Sequence, residues 1–235
     1  MSNPTQTKNS TDTVTVPFPR VTGLVRQLTH DVRNGLNNVD LQAAFLQEIV
    51  TDPQAVPEIK RLRSMVSEAA KMLQAFSASF WLPEPNFVTY SAAIFIEDFQ
   101  ARFAKLLPEQ AAEIHWSVKL GMEPISVDIE MLFRGLAEFF KNAFHFREAQ
   151  RPIDVEVSAE KEMLVIELHE SKSAVPSPPD GWGREPLVST RRGGFGMGLF
   201  YARQVLAVHA GTVAATFDQA AERLTTRLTL PLAAR

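Results

Sequence analysis

The sequence contains no cysteine, which excludes disulfide bonds, thiolate metal sites and cysteine nucleophiles. It also lacks a long apolar run: no stretch approaches the roughly 18–20 residues of a membrane span, and the N-terminus has no apolar signal-peptide core. A large excess of either charge is missing too, because the formal net charge is only −3. We therefore expect neither nucleic acid nor a membrane as a partner, and we expect a cytoplasmic location.

The apolar residues that are present suffice for a substantial core. The chain has 235 residues, 45% of them hydrophobic, and this length suits one large domain or two small ones. Residues 1–18 differ from the rest, since "MSNPTQTKNSTDT" is polar and rich in Ser and Thr. That composition predicts a disordered tail.

Residues 19–82 carry two helical patterns. Apolar residues recur at helical spacing from Val21 to Ile49 and again from Ile59 to Phe80, with a proline-containing break between them. We predict a helical hairpin, which cannot cover both of its apolar stripes by itself. The simplest solution is a second copy of the hairpin, which gives a four-helix bundle by dimerisation. The alternative is packing of the hairpin against the rest of the chain.

Residues 84–235, which follow a boundary at "WLPEPN", mix strand and helix patterns. The segment "IHWSVKL" alternates apolar and polar residues as a half-buried strand does, and two later segments each consist of two strands around a polar turn. Helical patterns occupy about 91–107, 128–147 and 195–209. This order predicts an α+β fold with a layer of helices over a largely antiparallel sheet.

His30 lies on the first predicted helix, on the face opposite the apolar stripe. Arg26, Arg33 and Asn34 share that face at spacings of three or four residues. An exposed histidine beside a carboxylate, here Asp31, can act as a nucleophile whose other ring nitrogen is oriented by the acid. An ordinary surface histidine is the alternative interpretation.

Glu138 and Asn142 lie one helical turn apart in "LAEFFKNAFHF". Asn is a mediocre helix former, so its position inside a helix indicates another role. Such a pair can hold a divalent cation that bridges phosphates, with the Glu as a base for a water or a hydroxyl. A solvated polar stripe explains the pair equally well.

The stretch "RRGGFGMGLF" places glycines directly before a helical pattern. Glycine lets the backbone approach an anion closely, and the amides at a helix N-terminus favour negative charge. The stretch follows no strand and contains no Gly-Lys-Ser/Thr, which excludes the dinucleotide-binding fingerprint and the P-loop. The candidate phosphate-binding residues are Arg191, Gly194, Gly196 and Gly198.

These three stretches, in this order and spacing, resemble the sensor histidine kinases of bacterial two-component systems. "THDVRNGLN" resembles the phosphoacceptor box His-Glu/Asp-x-x-Asn-Pro-Leu, with Gly35 in the place of the proline. "EFFKNAFHF" resembles the asparagine box of the Bergerat-type ATPase fold, and "REPLVSTRRGGFGMGLF" its lid and second glycine box. The resemblance implies a dimerisation and histidine-phosphotransfer hairpin over residues 19–82, followed over residues 84–235 by an α/β-sandwich ATP-binding domain of the histidine kinase and gyrase type.

The resemblance also implies an activity. His30 would be phosphorylated from ATP and would pass the phosphoryl group to an aspartate on a response-regulator receiver domain. Asp31 and Asn34 would assist transfer or hydrolysis, and Glu138 and Asn142 would serve Mg²⁺ and phosphate. Homodimers would form through the hairpin. The tail is too short for a sensor domain, so any input would come from a separate sensor protein. The triphosphate would be held by Arg191, Gly194, Gly196 and Gly198.

One box departs from the family pattern. These kinases carry Asp-x-Gly-x-Gly after a strand, and its Asp accepts a hydrogen bond from the adenine amino group. In "IELHESKSAVP", Glu170 stands at the Asp, Lys172 at the first glycine and Ala174 at the second. Loss of a buried hydrogen-bonded pair costs about 1–3 kcal/mol, or roughly 5–150-fold in affinity. The alternative function is therefore an ATP-independent histidine phosphotransferase or phosphatase with a vestigial ATPase domain. A non-catalytic dimeric adaptor is a third hypothesis.

Overall fold

The computed structural model describes residues 16–80, 84–148, 151–175, 177–189 and 195–233. Most of the tail predicted to be disordered lies outside these residues. The chain divides into two compact units, Met1–Trp81 and Leu82–Arg235. No helix in the described ranges is both long enough and apolar enough to cross a membrane.

The first unit is a helical hairpin of α1 (Phe18–Ile49) and α2 (Ala55–Ser79). Pro19 lies in the first turn of α1, where its missing N–H costs no helical hydrogen bond. In the connecting turn, the carboxylate of Asp52 accepts a hydrogen bond from the backbone N–H of Gln54 at 2.9 Å. Helix α2 begins four residues before the predicted stripe.

The residues buried between the two helices form a narrow seam. Thr29 and Ala43 of α1 and Val66 of α2 are buried there. The guanidinium of Arg63 on α2 forms an ion pair with the carboxylate of Asp40 on α1, at 2.9 Å between Nε and Oδ1. The Thr29 hydroxyl donates to the carbonyl of Val25 one turn earlier, which satisfies a polar group inside the seam.

The apolar stripe predicted for α1 is not buried inside a single hairpin. The seam lies about 90° around the helix axis from it, so most of the stripe remains exposed. Helix α2 likewise exposes an apolar face. A hairpin therefore covers only part of its apolar surface, as expected from the sequence. The exposed side chains are Leu24, Leu28, Val32, Val39, Leu46 and Ile49 on α1, and Leu62, Met65 and Met72 on α2.

The second unit contains a five-stranded sheet of order β2-β4-β5-β7-β6 and a separate two-stranded pair, β1-β3. Strands β2 and β4 are parallel, and every other pair is antiparallel. The short pair β1-β3 was not predicted. The strands are β1 (Val88–Ser91), β2 (Ile114–Lys119), β3 (Pro124–Val127), β4 (Ile153–Glu160), β5 (Met163–Ser171), β6 (Thr212–Asp218) and β7 (Arg223–Pro231).

Helices pack against this sheet and complete an α/β sandwich. The three predicted helices are present with ends shifted by one to three residues, and α4 is an additional short helix. The α+β prediction, a helical hairpin followed by an α/β sandwich, is thus confirmed. The helices are α3 (Ala92–Leu106), α4 (Pro108–Ala111), α5 (Ile129–His145) and α6 (Gly198–Val208), with a 3₁₀ helix at Pro179–Gly181.

Aromatic side chains dominate the core between helices and sheet. Phe99 of α3 is buried beside Phe103 and Phe140, with ring centroids 5.8 and 5.1 Å apart. Helices α5 and α6 approach closely at Gly135, where an added Cβ would lie 2.7 Å from Cγ1 of Val205. This close packing fixes α5 and α6, the two helices that carry the predicted asparagine and glycine boxes.

Candidate functional site

His30 lies on the surface of α1 with its side chain 67% exposed. Its Nδ1 is 3.1 Å from Oδ1 of Asp31. The amide of Gln27, one turn earlier, donates to both oxygens of the same carboxylate at 3.0 and 3.1 Å. Asp31 is therefore held by two partners while it orients the imidazole.

The electrostatics of this cluster assign the protons of the imidazole ring. The hydrogen bond with His30, and then that from Gln27, lowers the pKa of Asp31, so its carboxylate is ionised and only accepts hydrogen bonds. Nδ1 of His30 must then carry the proton and donate. The Asn34 amide nitrogen lies 3.4 Å from Nδ1, but it cannot donate to a protonated nitrogen. Nε2, the other ring nitrogen, has no hydrogen-bond partner among the described residues.

The structure brings Glu138 of α5 close to Gly198, the first residue of α6. A Cβ on Gly198 would lie only 2.5 Å from Oε2 of Glu138, so the absence of a side chain permits this approach. The other carboxylate oxygen, Oε1, accepts a hydrogen bond from the Lys141 ammonium at 2.8 Å. Asn142 is half-buried, and its amide has no hydrogen-bond partner among the described residues.

Gly196 is required by backbone geometry. Its φ of +65° belongs to the left-handed region that favours glycine, and an added Cβ would lie 2.5 Å from the backbone nitrogen and oxygen of Val188. Arg191 and Gly194, the other two predicted phosphate-binding residues, lie outside the described residues. The roles of Gly196 and Gly198 toward phosphate stay predictions.

Glu170 and Lys172 form a buried ion pair at the end of β5. Their side chains are only 7% and 6% exposed, and Lys172 Nζ lies 3.1 Å from Glu170 Oε2. The ammonium also donates to the carbonyl of Phe146, directly after α5, at 2.8 Å. Burial raises the pKa of Glu170, and the charge of Lys172 counteracts part of that rise.

Ser173, the next residue, forms two further hydrogen bonds that hold the same segment. The Ser173 backbone N–H and hydroxyl both donate to Oε2 of Glu148, at 2.8 and 2.6 Å. These two hydrogen bonds lower the pKa of Glu148, which therefore stays ionised. The backbone N–H of Lys172 donates to the carbonyl of Glu222 at 2.8 Å. The contacts from Ser173 to Glu148 and from Lys172 to Phe146 could not be read from the sequence, because they join residues about 25 positions apart.

Metal and histidine chemistry elsewhere is limited. The described part of the chain contains no group of three or more His, Asp or Glu side chains that could hold a metal ion. Mg²⁺ at Glu138 and Asn142 stays a prediction. His209 has a structural role: it is buried, its Nε2 accepts from the backbone N–H of Asp128 at 3.0 Å, and Nδ1 bonds to the carbonyl of Val205 at 2.8 Å.

Comparison with known sequences gives one distant relative. No protein-family model matches the chain. The nitrogen regulation protein NtrY of Azorhizobium caulinodans is 23% identical over 203 residues, which make up 81% of this chain and 26% of that protein. The chain thus spans about a quarter of the length of this relative.

Solved structures match large parts of the chain. Full-length ShkA in complex with AMPPNP superposes with a TM-score of 0.68 at 21% identity, over 91% of this chain and 46% of that one. The catalytic domain of the histidine kinase ThkA gives a TM-score of 0.52 at 14% identity, over 63% of this chain and 96% of that one. The Acinetobacter baumannii histidine kinase AdeS gives a TM-score of 0.51 at 13% identity, over 87% of this chain and 98% of that one. The resemblance carried by the sequence motifs is confirmed at the level of the fold.

Proposed function

We propose that this chain, which has the fold of a histidine kinase, is a two-component signal transduction protein. Its His30 accepts a phosphoryl group and exchanges it with an aspartate on a response-regulator receiver domain. The observation that carries this proposal is the geometry at His30, where Asp31 holds Nδ1 and leaves Nε2 available. We place the reaction in the cytoplasm.

The transfer step uses the tautomer that Asp31 selects. The lone pair of His30 Nε2 attacks the phosphorus of an aspartyl phosphate, the bond from phosphorus to the aspartate oxygen breaks, and the carboxylate leaves with the electron pair. The imidazole becomes a phosphorylated imidazolium whose Nδ1 proton stays hydrogen-bonded to Asp31. The negative carboxylate stabilises that positive ring. Transfer to a second receiver is the reverse of this step.

The exposed stripes on the hairpin support a homodimer. On α1 the stripe lies about 90° around the axis from the seam, and on α2 it lies about 90° from Val66 in the same rotational sense along the chain. In antiparallel helices, equal offsets of this kind place both stripes on one side of the hairpin. A second hairpin covering that side completes a four-helix bundle and leaves His30 on the outer surface.

Two exposed apolar side chains support docking of a receiver domain beside His30. Leu41 and Phe45 are 67% and 55% exposed, and they lie on the His30 side of α1, away from the stripe. They follow His30 by about three and four helical turns, roughly 16 and 22 Å along the axis. Isolated large apolar groups on an otherwise polar surface fit a partner that buries them when it presents its aspartate to His30.

A second candidate function is autophosphorylation of His30 from ATP. The likeness to ShkA, whose structure contains AMPPNP, favours it. The close approach of Gly198 to Glu138 is a second favourable observation, because it sets the start of α6 beside the predicted asparagine box. Incubation of the chain with γ-labelled ATP and Mg²⁺ tests this candidate, and the absence of acid-labile label on wild-type protein would eliminate it.

The proposed exchange is tested with receiver domains from the same organism, each phosphorylated by a labelled small-molecule donor and freed of it. We expect acid-labile label on the wild-type chain and none on His30→Ala. His115→Ala is the matched control, because His115 is 68% exposed and paired with Asp154 at 3.3 Å, yet lies in the other unit. Equal labelling of the His30→Ala variant would contradict the proposal.

A further inference from the structure

We infer that Glu170–Ser173 closes the base end of the nucleotide site from within the chain, so that the second unit binds no adenine nucleotide and His30 receives its phosphoryl group from receiver domains alone. We call this segment the latch. The inference rests on the proposed exchange at His30 and identifies its phosphate donor. It depends on Glu170 and Lys172, which occupy the positions where the histidine kinase pattern has an adenine-binding Asp and a glycine.

Lys172 fills space where that pattern has no side chain. Its ammonium is buried and has two partners, the Phe146 carbonyl at 2.8 Å and the Glu170 carboxylate at 3.1 Å. A base at this end would have to occupy the space beside this ammonium, which lies 3.1 Å from the buried Glu170 Oε2 as an ion-pair contact, although Oε2 forms no hydrogen bond among the described residues. Breaking a buried ion pair by removal of one partner is strongly unfavourable, because it leaves the other charge uncompensated.

The position of the ammonium is favourable for a second reason. Phe146 directly follows α5, and its backbone N–H bonds back to the carbonyl of Asn142. Carbonyl groups near a helix C-terminus lack intrahelical donors and carry partial negative charge. The Lys172 ammonium supplies both a donor and a positive charge at this end. The pair therefore connects the end of α5 to the end of β5.

Ser173 holds the latch independently of Lys172. Both of its donors bond to one carboxylate oxygen of Glu148, so the backbone and the side chain are fixed together. The Lys172 N–H bonds to the Glu222 carbonyl, which joins the latch to the turn before β7. Opening the base end would break contacts to two separate parts of the unit, the segment after α5 and the turn before β7.

The phosphate side of the site differs from the base side. Asn142 has no side-chain hydrogen bond within the described residues, and the absence of a side chain at Gly198 lets Oε2 of Glu138 approach the start of α6. Among the described residues, Glu170 and Lys172 place their buried side chains at the base end. Transfer of a phosphoryl group between two receiver aspartates through His30 needs no nucleotide. Each step forms one bond to phosphorus and breaks another.

Calorimetric titration of the full chain with ATP and with ADP, each with Mg²⁺, tests the inference. We expect no saturable binding up to about 1 mM nucleotide. A dissociation constant of 1 mM corresponds to a binding free energy of roughly −4 kcal/mol. The triple variant Glu170→Asp, Lys172→Gly, Ala174→Gly restores the Asp and both glycines. We expect its dissociation constant to lie at least about tenfold below 1 mM. Lys172→Met is the matched control because it keeps the space filled; titrated at a pH where circular dichroism shows it folded, it should not bind.

Each possible result supports or contradicts the inference. Wild-type binding tighter than 1 mM overturns the inference, whether or not the triple variant folds. Binding by neither the wild-type chain nor a folded triple variant overturns the assignment of closure to the latch. Exchange with phosphorylated receivers, measured without nucleotide, is read separately. An ATP-binding chain that still exchanges through His30 refutes the latch but not the proposed function, and a chain that neither binds nor exchanges refutes the proposed function alone.

Discussion

Replacement of Lys172 with methionine should destabilise the second unit strongly at alkaline pH. The substitution keeps the length of the side chain and removes the ammonium that serves the Phe146 carbonyl and the Glu170 carboxylate. Glu170 would then be a buried charge without its cation. Removal of one partner from a buried ion pair costs about 3–5 kcal/mol, and we expect a loss of this size at pH 8.

The loss should shrink as the pH falls. Burial already raises the pKa of Glu170 in the wild-type protein, although Lys172 counteracts part of this rise. Without Lys172 the folded-state pKa must rise further. A carboxyl group whose pKa is raised by folding contributes full stability below its ordinary value of 4.5 and loses it as the pH rises through the folded-state value. The variant should therefore approach wild-type stability near pH 4.5.

Urea unfolding followed by circular dichroism at several pH values measures both effects. The double variant Glu170→Leu, Lys172→Met removes both charges and should regain most of the loss, because apolar replacement of a whole buried pair is often neutral or stabilising. A loss below about 1 kcal/mol at pH 8 for Lys172→Met, with no pH dependence, would refute the reasoning that this ion pair is closed and buried.

Further predictions concern the hairpin, the transfer step and the start of α5. Leu28→Asp places a charge on the exposed stripe and should convert the proposed dimer to a monomer in light scattering, whereas an unchanged mass would contradict the bundle. Asp31→Asn should slow exchange with a phosphorylated receiver by about 10²-fold and alter its pH profile, with partial recovery in Asp31→Glu; an unaltered rate and profile would remove Asp31 from the step. Asp128 caps α5 by accepting a hydrogen bond from the backbone N–H of Met131, and Asp128→Ala should cost about 1–2 kcal/mol in urea unfolding. Burial alone would raise the pKa of Asp128, but backbone hydrogen bonds hold it below its ordinary 3.8, so the difference between variant and wild type should vanish as the pH falls below that value; a pH-independent difference would contradict this assignment.

The elements that sequence reasoning predicted well are those with a long repeating pattern. Strands β4 to β7 and helices α1, α3 and α5 each sustain the period of their type, and their positions agree with the structure to within a few residues. Strands β1 and β3 contain four residues each, which is too short for alternation to stand out. Helix α2 begins before its predicted stripe because Pro57 lies in its first turn, where proline is tolerated.

The candidate site was predictable where it lies on one helix. Helical spacing alone places His30 beside Asn34, and Glu138 beside Asn142. Contacts between elements were not predictable, since they depend on packing. The family resemblance placed Lys172 at a glycine position, but it could not show that the ammonium is satisfied by the carbonyl of Phe146, 26 residues earlier. In α1, the choice of Thr29 and Ala43 for the seam follows from how α2 packs, and an amphipathic pattern does not specify it.

Passage of a phosphoryl group between two receiver domains in nucleotide-free buffer tests the central claim most directly. One labelled receiver, the full chain and a second, unlabelled receiver from the same organism are mixed, and label on the second receiver is followed with time. We predict that the second receiver becomes labelled with the wild-type chain and with His115→Ala, but not with His30→Ala. Equal labelling with His30→Ala, or no labelling with the wild-type chain across all receivers of the organism, would contradict phosphotransfer through His30.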